Sequence, residues 1–273
     1  MSVVTPRSVP RFFLWVFLCL GAVLCLFPFL WMAIGTTLNP NDVLKGNLIP
    51  GKEFMNNVVK ATANYNLPLF FFNSLFIASI TVIVGVAVNA LAAYGFEKYP
   101  SKTRDWLFAI LLLTLIIPQI AIVIPLFRLV AFFGLLDSAW GIIFPFLMSA
   151  FIIFFLRQNF SMFPTEIIEA GRVDGAGEMR IFWQIALPAM KAGFASAGIL
   201  MFIGQWNSYL WPLMTILTDA NKTLPIAMSS MMNAYTIEYG GLMVIVSVSV
   251  LPVLAVFLGL QKQFVAGLLG SVK

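Results

Sequence analysis

The chain has 273 residues, of which 61% are hydrophobic and 10% are charged, and its mean hydropathy is +0.97. Because a soluble domain needs more charge to cover its surface, this composition indicates a membrane protein. The sequence has no histidine and only two cysteines, which excludes histidine-based catalytic triads and histidine metal sites. The net charge of +5 forms no compact basic patch along the sequence, so we predict no nucleic-acid binding.

Long apolar segments predict membrane-spanning helices, because about 20 such residues cross the hydrocarbon core. We therefore predict an all-α membrane protein with six transmembrane helices in one membrane domain, 12–260. The first segment is treated as an uncleaved span, since it is too long for the apolar region of a signal peptide. The predicted spans are 12–34, 71–96, 106–130, 139–155, 192–216 and 241–260.

Basic residues fall mainly in alternate connecting segments. If both termini lie on one side of the membrane, eleven of the 16 Lys and Arg residues lie on that side. Such an excess marks the cytoplasmic side. We therefore predict a cytoplasmic lead at 1–11, a long cytoplasmic loop at 157–191 and a cytoplasmic tail at 261–273, with lipid around the spans.

The first outer loop, 36–69, contains a near match to a phosphate-binding loop, followed by a short predicted helix within 56–66. The segment from Gly46 to Glu53 has the glycines and Lys52 of that pattern. However, Glu53 stands where Ser or Thr must hold Mg²⁺, and Pro50 removes an amide that would bind phosphate. We predict no cofactor in this chain, so any ATP and Mg²⁺ must be bound by partner subunits.

Several uncharged polar residues lie in or near the predicted spans, where an unpaired amide is expensive. Sugars bind to amides and hydroxyls by hydrogen bonds and stack on aromatic rings, so these residues are candidates for contact with a transported ligand. A packing cluster near the membrane interface explains them equally well. The candidates are Asn73 at the start of the second span and Gln205, Trp206, Asn207 and Tyr209 in the fifth.

The cytoplasmic loop is a polar, helix-forming segment between two long apolar ones. Thr165 is predicted to cap its first helix, with Glu166 in the first turn, where negative charge suits the helix dipole. Asp174-Gly175 predicts the end of that helix. A second helix is predicted over 178–186, ending before Pro188.

Small residues in the first of these helices suggest a surface for another protein. Ala170 and Gly171 would leave a bare patch for close approach, and Glu169 offers a charge for a salt bridge. Apolar side chains around them would add contacts. On physical grounds alone, a plain amphipathic linker at the membrane interface accounts for the same pattern.

The spacing from Glu169-Ala170-Gly171 through Gly175 to Leu187-Pro188 resembles the EAA loop with which ABC importer permeases dock onto their ATP-hydrolysing subunits. Other segments, in order along nearly the whole chain, are similar to carbohydrate ABC importer permeases of the MalG-like type. They include Phe72-Asn73-Ser74-Leu75, Gly134-Leu135-Leu136-Asp137, Trp206-Asn207-Ser208-Tyr209, Thr223-Leu224-Pro225 and Gln261-Lys262-Gln263-Phe264.

Two positions depart from the family pattern. The family usually has Ala where Gly171 stands, and often Ser where Gly177 stands. Both replacements are small for small, so the resemblance still implies docking, with a looser helix.

The resemblance implies a type I ABC importer permease fold and an ATP-driven, binding-protein-dependent import of sugars or oligosaccharides. The implied partners are a second permease subunit, two ATP-binding subunits and an extracytoplasmic sugar-binding protein. The implied location is the plasma membrane of a bacterium or archaeon. Closure of the ATP-binding subunits would favour one of two helix packings and so switch access, and the chain itself would be no enzyme.

The resemblance also assigns candidate contact residues. The outer segment 219–239 is expected to face the binding protein, with contacts from Asn221, Asn233, Tyr235 and Glu238. The residues expected to dock on the ATP-binding subunit are Glu166, Glu169, Ala170, Gly171, Asp174 and Gly175.

Three alternatives stay open. A permease of the same superfamily for glycerol phosphate or another solute would gain from buried Arg or Lys, and Arg128 is the only such residue within a predicted span, at its end. An ion-coupled secondary transporter usually needs Asp or Glu at mid-membrane, whereas the acidic residues here lie outside the spans or at their ends, as Glu97 does. A purely structural membrane scaffold is the third.

Overall fold

The computed structural model describes residues 11–63, 65–99, 101–233, 235 and 237–269. The chain divides into two compact units, one formed by Met1–Asn66 with Ser230–Val250 and the other by Leu67–Ser229 with Leu251–Lys273. Over the described residues it forms fifteen α-helical segments. They are α1 Arg11–Gly35, α2 Pro40–Leu44, α3 Phe54–Ala63, α4 Leu67–Lys98, α5 Lys102–Leu113, α6 Gln119–Phe132, α7 Ala139–Ile143, α8 Ala150–Ser161, α9 Thr165–Val173, α10 Glu178–Ile181, α11 Leu187–Ala189, α12 Lys191–Trp206, α13 Leu210–Thr215, α14 Leu224–Met232 and α15 Tyr239–Leu269.

Three of the predicted spans form continuous helices. They are Arg11–Gly35, Leu67–Lys98 and Tyr239–Ala266, each long and apolar enough to cross a membrane. The most apolar window of α1 has no buried residue, as expected for a helix that is hydrophobic all round and faces lipid or another chain. The last helix runs on to Leu269, so no break separates the predicted sixth span from residues 261–269.

The remaining apolar segments are bent pairs, and with each pair counted as one span the described residues supply up to six. The pair Lys102–Ile116 and Gln119–Phe132 bends by 105°, and Ala139–Phe146 and Ala150–Ser161 bend by 45°. The predicted spans at 106–130 and 139–155 therefore lie on bent helix pairs and not on single straight helices. Pro118 explains the sharper bend, because proline has no backbone N–H to donate in a helix and disfavours the helical conformation at Ile117, whose backbone is extended.

The predicted fifth span, 192–216, is also interrupted. Helix α12 ends at Trp206, and α13 begins only at Leu210. The Asn207 side chain donates to the carbonyl of Ile203, 3.0 Å away, and such local bonds compete with continuation of a helix. A third bent pair, Glu178–Ala189 with Lys191–Trp206, bends by 84°.

Buried Asn89 stabilises the bend between α7 and α8. Its amide nitrogen donates to the carbonyl of Leu147 at 2.7 Å, and its side-chain oxygen accepts from the amide of Ser149 at 2.8 Å. Both bonds satisfy backbone groups that the broken helix leaves without helical partners.

The core of the second unit lies where α4, α8 and α12 pack together. Its buried residues include Ala90 and Tyr94 of α4, Leu156 and Phe160 of α8, and Ala197 of α12. Residues of the loop 157–191 belong to the same cluster, so the loop packs as part of this core.

In the first unit, Asn57 on α3 occupies a central position. It is 1% exposed and donates to the carbonyls of Thr36 and Leu38. A helix was predicted within 56–66, and α3 confirms it. In the loop before α3, the backbone amides of Gly51 and Glu53 both donate hydrogen bonds to Thr37. These two amides are therefore already hydrogen-bonded within the chain.

Candidate functional site

The loop 157–191 forms two helical segments joined by a bend at Gly175, as predicted. Gly175 has φ +79°, a left-handed conformation that favours glycine. Helix α9 starts at Thr165 itself, preceded by Pro164 without a side-chain cap. The prediction that Thr165 caps this helix is therefore wrong, because Pro164 already supplies the extended residue before the first turn.

The second helical segment continues past its predicted end. After α10, residues Phe182–Ala186 form a π-helical stretch, and α11 then carries the helix through Pro188 to Ala189. A π turn is wider than an α turn, and we attribute the tolerance of Pro188 to it, since the proline ring clashes with the preceding turn of a regular helix.

Gly171 is buried inside the loop. A Cβ at this position would lie 3.1 Å from Cδ1 of Ile185 and 3.3 Å from Cγ1 of Ile181. The interpretation of Gly171 as part of a bare outer patch is therefore wrong, because its missing side chain lets α9 pack closely on the second helix. Ile168, three residues earlier on the same helix, is likewise only 1% exposed.

Polar contacts fasten the two helical segments to each other and to α4. Arg172 pairs with Glu178 at 2.7 Å across the bend, and the Tyr94 hydroxyl donates to Glu178 at 3.4 Å. The Arg172 guanidinium also lies 5.9 Å from the ring centre of Tyr99. Burial, followed by the hydrogen bond and charge of Glu178, raises the pKa of Tyr99.

The outer face of the loop keeps five of the six predicted docking residues exposed. They surround Val173, which is 87% exposed although it is apolar. This face thus combines carboxylates, small residues and one apolar side chain. The exposed five are Glu166, Glu169, Ala170, Asp174 and Gly175.

The segment that follows α13 is held by side chains from α4 and from the turn before α7. Asn73 donates to the carbonyls of Ala220 and Lys222 at 2.9 and 3.0 Å. The neighbouring Ser74 hydroxyl accepts from the amide of Leu224 at 2.8 Å. Asn73 is thus engaged as a structural anchor, which differs from its interpretation as a residue that contacts a transported ligand.

Asp137 is the strongest of these anchors. Its carboxylate accepts from the amides of Leu217 and Thr218, both at 3.0 Å, and from the Thr218 hydroxyl at 2.7 Å. These hydrogen bonds hold the pKa of Asp137 at about 2. Its backbone has φ +53°, a conformation that aspartate tolerates better than most residues. Asn221 donates to the Asp137 carbonyl at 2.7 Å, so this predicted binding-protein contact is used within the chain.

The other predicted outer contacts differ in exposure. Tyr235 is fully exposed and Asn233 is exposed, whereas Glu238 forms a 3.0 Å ion pair with Lys60. The segment 219–239 also contains α14, whose Leu224 and other apolar residues are buried.

The side chains predicted to form one cluster at the end of α12 point in different directions. Trp206 is 4% exposed and stacks on Phe202, with ring centres 5.7 Å apart. Asn207 is exposed and bonds to its own helix, and the Tyr209 hydroxyl lies 2.8 Å from that of Ser229. Trp206 is therefore unavailable for stacking on a ligand, because its ring is already covered.

Gln205 lines a cavity that none of the other members of the cluster reaches. This cavity has a volume of about 330 Å³ and is lined by Thr81, Gln119, Ser149 and Ser208 as well as Gln205. A second cavity of about 450 Å³ shares Gln119 and Ser208 and is also lined by Tyr209. Thr81 and the Arg172–Glu178 pair were not among the residues predicted from the sequence; for Thr81, a polar residue within an apolar run was the available signal.

Comparison with known proteins identifies the family. Residues 85–269 match the family described as "Binding-protein-dependent transport system inner membrane component". The chain belongs to this family. It is thus a multi-pass permease component of an ABC transport system, and this component has no ATPase activity of its own.

Relatives match the permease from end to end. It is 41% identical to the lactose transport system permease protein LacG of Rhizobium radiobacter, with 98% of each chain covered. It is 32% identical to the arabinooligosaccharides transport system permease protein AraQ of Bacillus subtilis, with 97% of each covered. The sn-glycerol-3-phosphate transport system permease protein UgpE of Yersinia enterocolitica is 33% identical, with 94% and 95% covered.

A solved structure shares the permease fold. The crystal structure of a bacterial ABC transporter involved in the import of the acidic polysaccharide alginate contains a chain that matches with a TM-score of 0.82. The match covers 96% of this chain and 100% of that one at 21% sequence identity. This agrees with the predicted type I ABC importer permease fold.

Proposed function

We propose that this chain is the permease subunit of an ATP-driven importer of sugars or oligosaccharides. In this proposal it pairs with a second permease subunit, two ATP-binding subunits that hold ATP and Mg²⁺, and an extracytoplasmic sugar-binding protein. The end-to-end similarity to a lactose transport permease carries the substrate class. Glycerol phosphate is the second candidate, because a relative named for that solute is 33% identical.

The packing of the cytoplasmic loop supports a coupling role. Ile168, Ile181 and Phe182 of the loop lie in one core cluster with residues of α4, α8 and α12. The same three helices supply Thr81, Ile152 and Gln205 to the 330 Å³ cavity. Because close-packed cores transmit displacement, a force on the loop reaches the helices that line the cavity.

The exposed face around Glu169 is then the docking surface for an ATP-binding subunit. ATP-driven closure of two such subunits moves the loops and favours one of two helix packings. On the opposite side of the membrane, the exposed Tyr235 and Asn233 are the proposed contacts for the binding protein. This assignment places both termini and the loop in the cytoplasm.

Reconstitution of the complete complex tests the proposal. The chain is co-expressed with a second permease subunit and the ATP-binding subunits of the proposed complex. The complex is placed in proteoliposomes with the binding protein and supplied with labelled lactose, arabinooligosaccharide or glycerol 3-phosphate. We expect ATP-dependent uptake of a saccharide that requires the binding protein. Uptake of glycerol 3-phosphate and of neither saccharide would overturn the assignment to sugars.

A further inference from the structure

Three helix breaks of the second unit border one cavity. Gln119 follows the break at Pro118, Ser149 follows the bend after α7, and Ser208 follows the end of α12, and all three line the 330 Å³ space. Broken helices at membrane depth are tolerated where the freed backbone groups meet protein or a water-filled cavity, and transporters use such breaks at ligand sites.

Two buried polar atoms of this cavity are unsatisfied. Among the described residues, neither Oγ1 of Thr81 nor Nε2 of Gln205 has a hydrogen-bond partner. Thr81 is 1% exposed and Gln205 is 9% exposed. Buried polar groups are nearly always hydrogen-bonded in folded proteins, so these two groups require a partner that enters the cavity.

The chemistry of the lining selects the class of that partner. The polar side chains are hydroxyls and amides, and none of the described lining residues is charged. A phosphate ester is usually held by Arg or Lys, and this cavity offers neither. Phe146 and Phe151 add aromatic surface beside the polar groups. Amides, hydroxyls and aromatic rings together fit a neutral polyhydroxyl ring.

We propose that this cavity binds one ring of a neutral saccharide, with hydrogen bonds from Thr81 and Gln205. The inference rests on the proposed function and narrows it, because it assigns a sugar subsite to this subunit. Its volume lies near the lower end of the range of about 300–1,000 Å³ for ligand pockets, as a single ring requires. The 450 Å³ cavity that shares Gln119 and Ser208 accommodates a neighbouring ring of an oligosaccharide.

Near-isosteric variants in the reconstituted complex test the subsite. Gln205→Met and Thr81→Val remove the unpaired polar atoms and keep the shape of the side chains. We expect the KM for saccharide uptake to rise about tenfold in either variant, since a site built to bond hydroxyls loses those bonds. The melting temperature of the sugar-free complex should stay equal or rise, because a buried unpaired group is removed.

Thr114→Val is the matched control, since the Thr114 hydroxyl is exposed and already donates to the carbonyl of Leu111. Its KM should equal that of the unaltered complex. Unchanged KM in Gln205→Met and Thr81→Val, with or without a rise in melting temperature, would mean that the cavity holds only water. Failure of the unaltered complex to import any saccharide would instead defeat the proposed function.

Cysteine labelling tests the subsite independently, in case Gln205→Met or Thr81→Val folds poorly. In a background of Cys19→Ala and Cys25→Ala, Ser208→Cys is labelled with N-ethylmaleimide in the purified complex. Saturating lactose or arabinooligosaccharide should slow labelling about tenfold, as expected when most sites are occupied, whereas glycerol 3-phosphate should not. Equal labelling rates with and without both saccharides would contradict the subsite.

Discussion

Single polar residues decide how the segment after α13 is held in this permease. Asp137 and Asn73 both bind backbone groups of the segment after α13. Each satisfies amides or carbonyls that an irregular segment cannot pair by itself. Polar residues near the ends of apolar helices therefore serve here as anchors, and their chemistry alone does not distinguish this role from ligand binding.

The anchoring by Asp137 should depend on pH. Hydrogen bonds lower the pKa of Asp137 from its ordinary value of 3.8 to about 2. A lowered pKa means that the carboxylate stabilises the folded segment above about pH 4 and that this contribution is lost as pH falls toward 2. Hydrogen exchange of the Leu217 and Thr218 amides, corrected for intrinsic rates, should be slow at pH 5 and progressively faster below pH 4.

Asp137→Asn is the control for this titration. It keeps one oxygen acceptor and cannot ionise, so exchange at the two amides should already be faster at pH 5 and lack the acid transition. Asp219 is a second carboxylate in the same segment, where it pairs with Lys222, and the variant separates the effect of Asp137 from that of Asp219. An identical acid transition in the variant would assign the effect to another carboxylate.

The residue-level predictions from sequence succeeded only in part, for a physical reason. Gln205 was predicted to be a polar residue that requires a partner, and it lines the 330 Å³ cavity. Its neighbours Trp206 and Asn207 were grouped with it by proximity in sequence, but successive residues on a helix point about 100° apart. Trp206 consequently packs on Phe202, and Asn207 closes its own helix.

At the level of helices, hydropathy predicted where the apolar segments lie but not the angles at which they bend. The predicted spans at 12–34, 71–96 and 241–260 correspond to the continuous helices α1, α4 and α15. The bent pairs have the same apolar composition, and a sliding window does not register one Pro118 or one Asn207. The clamp by Asn89 depends on contacts nearly 60 residues away in sequence, which no local pattern contains.

The helix pair of the loop 157–191 should be sensitive to the size of the side chain at position 171. In Gly171→Leu, the added side chain would enter the space occupied by Ile181 and Ile185, and overpacking of this kind typically costs about 1–3 kcal/mol. We expect a lower melting temperature and lower uptake. Gly171→Ala is the comparison: the tightest contact is the movable Cδ1 of Ile185, and alanine favours helix by about 1 kcal/mol over glycine.

The comparison of Gly171→Ala with Gly171→Leu tests how closely the two helices pack. Near-normal stability and uptake in Gly171→Ala, with losses in Gly171→Leu, would support packing within the loop. Equal tolerance of leucine would show that α9 and the second helix do not pack as closely as the structure has them.

For the whole molecule, the placement of basic residues predicts which segments face the cytoplasm. In a Cys19→Ala, Cys25→Ala background, Ala220→Cys and Thr103→Cys place single thiols on exposed positions of the two predicted sides. A membrane-impermeant maleimide added to intact cells should label position 220 and miss position 103 until the membrane is opened. The reverse pattern would invert the proposed topology and move the loop 157–191 away from any cytoplasmic ATP-binding subunit.

Charge reversal at Glu169 should weaken docking on the ATP-binding subunit and so reduce both uptake and the ATP turnover that the loaded binding protein stimulates. Glu169 is exposed on the face that also presents Ala170 and Val173, while the other face of α9 is buried in the permease core. A reversal should therefore disturb docking and leave folding intact. If Glu169 pairs with a basic residue of the ATP-binding subunit, loss of such an interfacial pair costs about 2–5 kcal/mol.

That cost predicts a fall of at least about tenfold in uptake for Glu169→Lys, with normal membrane insertion and melting temperature. Glu169→Gln removes the charge without reversing it, so its uptake should lie between that of the unaltered complex and that of Glu169→Lys. Asp42→Lys reverses a charge in the predicted outer loop and should import normally. ATP turnover stimulated by the loaded binding protein is measured beside uptake, because its loss together with uptake locates the fault in coupling. Unaltered uptake and turnover in Glu169→Lys would remove this face from the docking surface and leave the loop as a structural support for α4, α8 and α12.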